Sequence, residues 1–180
     1  MTRYLEFVKI QNQDVLFDSI GPYIYRAHWE FDGPGDYYSK VKAVALVGDT
    51  TVQSKITVAF AISSARWNAM SPDGRFHVAG EAGAVNRDQY IILVDSTMFK
   101  KGFTGSYKLG NEVRKFNKPV KISLISYEED QAIYQRNHDN TWIELPSYYD
   151  QGRIVAYTEK MGYFRLGRKT LFVPGLTSLG

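Results

Sequence analysis

"TWIELPSYYDQGRIVAYTEKMGYFRLG", residues 141–167, decides how this chain folds. Apolar and polar residues alternate through "RIVAYTE" (153–159), and a reversal at Tyr149-Asp150-Gln151-Gly152 separates that run from the Trp-bearing "TWIEL" (141–145). A period of two is the mark of a half-buried strand. The last run, "YFRLG" (163–167), is entered through Gly162, whose missing Cβ lets the chain turn or bulge into a strand. That strand is expected to close a sandwich with Tyr163 and either Phe164 or Leu166, and a core-facing Tyr163 needs a partner for its hydroxyl.

Upstream, the same rhythm returns with turns between. "AIYQRN" (132–137) and "TWIEL" flank a turn at "HDN" (138–140). "KPVKISLIS" (118–126) sends Val120, Ile122 and Leu124 inward against Lys121, Ser123 and Ile125. "QYIILVD" (89–95) is a continuous apolar run, the pattern of a strand covered on both faces, and "SPDGR" (71–75) carries Pro and Gly where a turn favours them. Before it, "VQSKITVAFAI" (52–62) puts Ile56, Val58, Phe60 and Ile62 on one side, a turn is read at "GDT" (48–50), and "YYSKVKAVALV" (37–47) precedes that. Residues 23–31 alternate Tyr23, Tyr25, Ala27, Trp29 and Phe31 against Ile24, Arg26, His28 and Glu30, until "GPGD" (33–36) breaks the run. A helical period lasts no more than a turn or two, the best candidate being Ser96 to Lys101. The expected class is all-β, with antiparallel hairpins stacked as β-sandwiches.

Composition narrows the function. The chain has 180 residues, 44% hydrophobic and 23% charged, enough apolar surface to offset its ordering entropy. Its net charge is +3 with Lys and Arg scattered among acidic residues, so the basic stripe of a nucleic-acid binder is missing and no nucleic-acid partner is expected. Without cysteine there are no disulfides, thiolate nucleophiles or Cys-held metal centres. No apolar run approaches the roughly 20 residues of a spanning helix, and "TRYLEFVKI" after Met1 lacks the apolar region of a secretory signal.

The phrases Pro72-Asp73-Gly74, Phe116 with Lys118-Pro119-Val120, Trp142 with Leu145-Pro146-Ser147, and Gly162-Tyr163-Phe164-Arg165-Leu166 together resemble a β-sandwich module found near the C-termini of large exported bacterial proteins. It is similar to the domain shared by ankyrins, netrin receptors and zona-occludens proteins. The resemblance covers residues 71–167 and consists of packing and turn residues, so it implies a fold more than an activity. Residues 18–62 resemble an immunoglobulin-like or fibronectin type III-like repeat. The tail "LFVPGLTSLG" resembles the linker that precedes a C-terminal sorting domain in many exported bacterial proteins. The implied organisation is an immunoglobulin-like portion over 1–66, a second sandwich over 67–170 and a linker over 171–180. The first block is short for such a domain, so it either lacks a strand or two or completes its sheet against the second.

Candidate chemistry is sparse. His28, His77 and His138 have no metal-ligand spacing, and the Asp32–Asp36 loop around Gly33-Pro34-Gly35, with Glu30 nearby, reads as an Asp- and Gly-rich hairpin turn more readily than as a calcium site. No metal and no cofactor is expected. Glycosidase chemistry needs two carboxylates roughly 5–9.5 Å apart across a cleft, whereas Glu128, Glu129, Asp130, Glu144, Asp150 and Glu159 read as charge on turns and strand faces. "TGSYKLG" (104–110) lacks the spacing of a serine-nucleophile elbow, and no phosphate loop occurs. The ligand-binding candidates are aromatic: Trp67 between the blocks, Tyr148 and Tyr149 in a turn, and Tyr37 and Tyr38, whose exposed rings would stack on sugars. Trp29 and Trp142 are expected to fill the core. The favoured reading is a non-catalytic spacer or adhesion-type module of a larger secreted or cell-surface bacterial protein. Its partners would be neighbouring domains of the parent chain, in contact near Ala65 to Met70. The alternative is a carbohydrate-binding module attached to a secreted hydrolase, with a glycan as partner.

Overall fold

The computed structural model describes residues 4–7, 17–21, 24–27, 33–45, 48–96, 105–110 and 114–170. In chain order the strands are β1 (Tyr4–Phe7), β2 (Phe17–Gly21), β3 (Ile24–Ala27), β4 (Gly35–Ala45), β5 (Gly48–Ala61), β6 (Trp67–Met70), β7 (Phe76–Gly80) and β8 (Gln89–Ser96). They continue as β9 (Ser106–Leu109), β10 (Lys115–Ile125), β11 (Gln131–Arg136), β12 (Trp142–Glu144), β13 (Ser147–Asp150), β14 (Arg153–Lys160) and β15 (Gly162–Arg168). Every pairing is antiparallel. One sheet has eight strands in the order β1-β4-β5-β8-β9-β15-β11-β12, another has five in the order β13-β14-β10-β7-β6, and β2 and β3 form a two-stranded pair. The described residues are all-β, as expected, and none of their helices is long and apolar enough to cross a membrane.

The two larger sheets pack face to face through the residues that alternation assigns inward. The eight-stranded sheet contributes Leu93, Leu109, Ile133 and Phe164, and the five-stranded sheet contributes Phe76, Val78, Val120, Ile122 and Ile154, all buried in one cluster. Val120, Ile122 and Leu124 face inward as the alternation of 118–126 requires. Phe76 of β7 is fully buried, with its ring 5.2 Å from that of Tyr107 on β9 and 5.8 Å from that of Phe164 on β15. Such ring pairs contribute about 0.5–1.5 kcal/mol beyond the area they bury. Residues 89–95 are covered fully on one face and in part on the other: Ile91 and Leu93 join this cluster, Ile92 and Val94 are partly buried against a smaller one of Tyr37, Ile56 and Val58, and Tyr90 is exposed.

Several expectations are corrected. Gly48, Asp49 and Thr50, read as a turn, are paired strand residues facing Ala45, Val44 and Ala43. The chain passes 66–67 between β5 and β6, but β5 pairs β8 from Lys55↔Asp95 to Ala61↔Gln89, so strands from either side of that point share one sheet. Of the helical turn expected at Ser96 to Lys101, Ser96 ends β8 and residues 97–101 lie outside the described residues, as do residues 28–32, with Trp29, and the linker 171–180.

Trp67 and Tyr37, expected as exposed rings, are 5% and 7% exposed. Trp67 is drawn inward because its cross-strand partner is Gly80, and the indole lies over the space a Cβ would fill there, 5.9 Å from the Phe116 ring. Its Nε1 is buried with no hydrogen-bond partner. Tyr37 turns back on its own loop and donates to the Gly33 carbonyl at 2.8 Å. Trp142, expected in the core, is only partly buried on the outer face of β12, beneath the Arg165 guanidinium. Tyr163 likewise faces outward while Phe164 takes the core position, because successive side chains on a strand point to opposite faces.

Gly80→Ala is expected to drive a methyl group into the indole of Trp67 and destabilise the fold by about 1–3 kcal/mol. Urea denaturation checks it, and the paired change Trp67→Leu with Gly80→Ala should cost less than the sum of the two single changes.

Candidate functional site

Charged and polar side chains with altered acidity sit mainly at the ends of hairpins. In the "SPDGR" turn the Ser71 hydroxyl donates to Asp73 Oδ1 at 2.5 Å, and the Arg75 amide reaches the same oxygen at 3.1 Å. Gly74, at φ +71°, closes the turn onto the Ser71 carbonyl. Asp73 Oδ2 accepts from the Tyr107 hydroxyl at 2.6 Å, which ties this turn of the five-stranded sheet to β9 of the eight-stranded one. Burial raises the pKa of Asp73, but the bonds from Ser71, Tyr107 and the Arg75 amide outweigh it, so the carboxyl is held below its ordinary range. Burial, and then the bond to Asp73, push the Tyr107 phenol up.

The same device recurs elsewhere. Asp88 is lowered by bonds from the Ser63 amide and hydroxyl, Asp139 by bonds from the Thr141 hydroxyl and amide, and Glu144 chiefly by the Thr170 amide. These carboxylates stay ionised as acceptors that fasten turns and connections. Glu144 lies on the outer face of the eight-stranded sheet, and Asp150 and Glu159 are exposed on β13 and β14 of the other. Among the described residues no group of three or more His, Cys, Asp and Glu is placed to hold a metal. Asp36, from the loop considered for calcium, accepts from the Thr57 hydroxyl at 2.6 Å, while Asp32 and Glu30 lie outside the described residues. His77 is held below its ordinary value by burial and then by the charges of Arg153 and Lys121, so it is neutral near pH 7. His138 is exposed, and His28 lies outside the described residues.

The aromatic candidates do not form one platform. Tyr148 and Tyr149 are exposed, yet they are adjacent on β13 and so face opposite sides of that edge strand. Trp67 and Tyr37 are buried, and the side chain of Tyr38 lies outside the described residues. Tyr148 instead meets Tyr157 of β14, a residue the sequence reading passed over. The two are 46% and 53% exposed, and their hydroxyls share a hydrogen bond that raises the Tyr148 phenol. The cross-strand pair Tyr148↔Val155 makes Tyr157 a diagonal neighbour, and Lys121 stands directly opposite Tyr157 on β10.

Rings on the other outer face carry cations. The Arg136 guanidinium lies 3.7 Å from the centre of the Tyr163 ring, and Lys108 Nζ lies 5.2 Å from it. Arg165 lies 4.2 Å from the centre of the Trp142 ring. The sequence reading also missed this group, since the registers Tyr163↔Lys108 and Arg165↔Tyr134 join segments far apart in the chain.

Comparison with protein-family models, curated proteins and solved structures found no match for this chain.

The acidity of Asp73 carries a pH dependence with a definite sign. Its folded pKa is below the unfolded one, so its stabilisation is present above the ordinary carboxylate value near 4 and is lost as pH falls through the lowered value. Tyr107 acts oppositely: its folded pKa is raised, so its contribution is complete below about pH 10 and is lost as pH rises through the folded value. Urea midpoints measured from pH 2 to 11 should fall at both ends. Asp73→Asn should flatten the acid limb, and Tyr107→Phe the alkaline one.

Proposed function

We propose that this chain is a non-catalytic spacer or adhesion-type β-sandwich module of a larger secreted or cell-surface bacterial protein. The observation that carries the reading is the way β15 is held. It lies inside the eight-stranded sheet, paired with β9 on one edge and β11 on the other, and its end is clamped. The Tyr134 hydroxyl donates to the Arg168 carbonyl at 2.6 Å, the Lys169 amide to the Asp130 carbonyl at 2.8 Å, and the Thr170 amide to Glu144 Oε2 at 2.8 Å. Tyr134 reaches this position by lying across Gly167, where a Cβ would collide with its ring.

Tension applied along the chain at residue 170 runs parallel to β15. The ladder bonds on both of its edges lie across that direction, so they share the tension and must break together. This geometry suits a module that passes force between neighbouring domains. The turn-fastening use of Asp73, Asp88, Asp139 and Glu144 agrees with it, since those groups secure the ends of strands. The export-module resemblance of residues 71–167 and of the tail supplies the expected setting.

One observation favours a second reading, a carbohydrate-binding module. The exposed Tyr148–Tyr157 pair beside Lys121 offers ring faces of the kind on which sugars stack.

Stretching of tandem copies by atomic-force spectroscopy tests the first reading. A single cooperative rupture per copy is expected, at a lower force in Tyr134→Phe, which should also lose about 1 kcal/mol of equilibrium stability. Extension with no distinct force peak would reject the mechanical role. For the second reading, affinity electrophoresis in gels of neutral polysaccharide should show retardation that Tyr157→Ala abolishes. Unretarded wild-type protein would dismiss that platform.

A further inference from the structure

We infer that the outer face of β9, β15, β11 and β12 binds an anionic polysaccharide, its carboxylate or sulfate groups held by Lys108, Arg136 and Arg165. The inference is independent of the spacer reading, because the face is built by strands of the sandwich itself and lies on the sheet opposite to the Tyr148–Tyr157 pair.

Strand parity decides which side chains face out. Lys108, Tyr163, Arg165, Arg136 and Trp142 all stand on the same outward parity of adjacent strands, and all are partly buried. Arg136 and Lys108 approach one ring, Tyr163, at 3.7 and 5.2 Å from its centre, and Arg165 approaches Trp142 at 4.2 Å. The ring quadrupole attracts each cation and fixes where it sits. A guanidinium fixed in this way keeps a planar fork of N–H donors that matches carboxylate and sulfate oxygens. Two like charges that flank one ring repel each other, and an anion lying above the ring, within reach of both, lessens that repulsion. Glu144, the carboxylate that β12 places beside this group, accepts from the Thr170 amide and stays ionised, so it offsets one of the three cationic charges of Lys108, Arg136 and Arg165. Positive charge remains in excess on the described residues of this face.

Spacing favours a polymer. Tyr163 on β15 and Trp142 on β12 are two strand steps apart, about 9.5 Å, so the two cation–ring units form a row across the sheet. A single small anion engages one unit; a chain with repeating charges engages both, with the gain of an intramolecular second contact. Single-stranded nucleic acid fits less well, because such ligands stack bases on open rings. Here guanidinium groups lie against both rings.

The test is affinity electrophoresis of the 180-residue chain in gels containing polygalacturonate, dextran sulfate or uncharged dextran. Retardation by at least one of the two polyanions and none by dextran is expected, and the two polyanions tell a carboxylate ligand from a sulfate one. The double variant Arg136→Gln with Arg165→Gln should weaken retention about tenfold, and Lys108→Gln, which leaves both guanidinium–ring pairs in place, about threefold. Lys121→Gln on the opposite sheet should leave it unchanged. Circular dichroism of each variant separates lost binding from lost fold, and Lys108→Gln decides the matter if the double variant does not fold. Absence of retardation in both polyanions, retention unchanged in the Lys108 variant, or tighter binding to single-stranded DNA of equal charge overturns the inference.

Discussion

The structure depends on how two sheets are joined through one stack of rings with a polar bond at its rim. Phe76 stands between Tyr107 and Phe164, and the Tyr107 hydroxyl leaves the stack to reach Asp73. Apolar burial between sheets is non-directional and would tolerate sliding. A hydrogen bond from a buried phenol to an ionised carboxylate would not, because a shift that breaks it leaves the Tyr107 hydroxyl without that partner in a poorly solvated place, while Asp73 keeps its bonds from Ser71 and the Arg75 amide. The aromatic stack supplies attraction, and the Asp73 bond fixes where along the sheets that attraction is satisfied.

The strands were legible because alternation is a local property. Val120, Ile122 and Leu124 face inward as the sequence implies, and the contacts that Ile91 to Val94 make on both faces follow from their unbroken apolar run, although Tyr90 of the same run is exposed. Parity divides a strand into two faces but does not say which face is covered, and it is there that the reading failed. Trp142 and Tyr163 obey period two and lie on the outside, while Trp67 goes inside because a glycine 13 residues later stands opposite it. The reading of Gly48-Asp49-Thr50 as a turn failed differently: Gly and Asp are turn formers by propensity, and pairing with β4 overrides that preference.

The candidate surfaces were less legible still, because they are made by register. Tyr157 carries no signal in "RIVAYTE" beyond its place in the alternation, and becomes notable only when Tyr148 is set diagonally beside it. Arg136, Tyr163 and Lys108 lie on three strands separated by tens of residues, and the sheet order β9-β15-β11 is what brings them together. Glu144 and Tyr134 show the same dependence. Each is ordinary in its own hairpin, and together they meet the chain only where it leaves β15.

The interior position of β15 also dictates when the protein is able to fold. β9 and β11, its two neighbours, come off the ribosome well before it, and neither has its interior ladder until residues 162–168 exist. The wide sheet thus stays in two pieces from the emergence of β12 until that of β15, with Phe76 lacking one of its ring partners. Closure is a late, long-range event of the kind that folds slowly. A polypeptide assembled in this order remains threadable until β15 emerges.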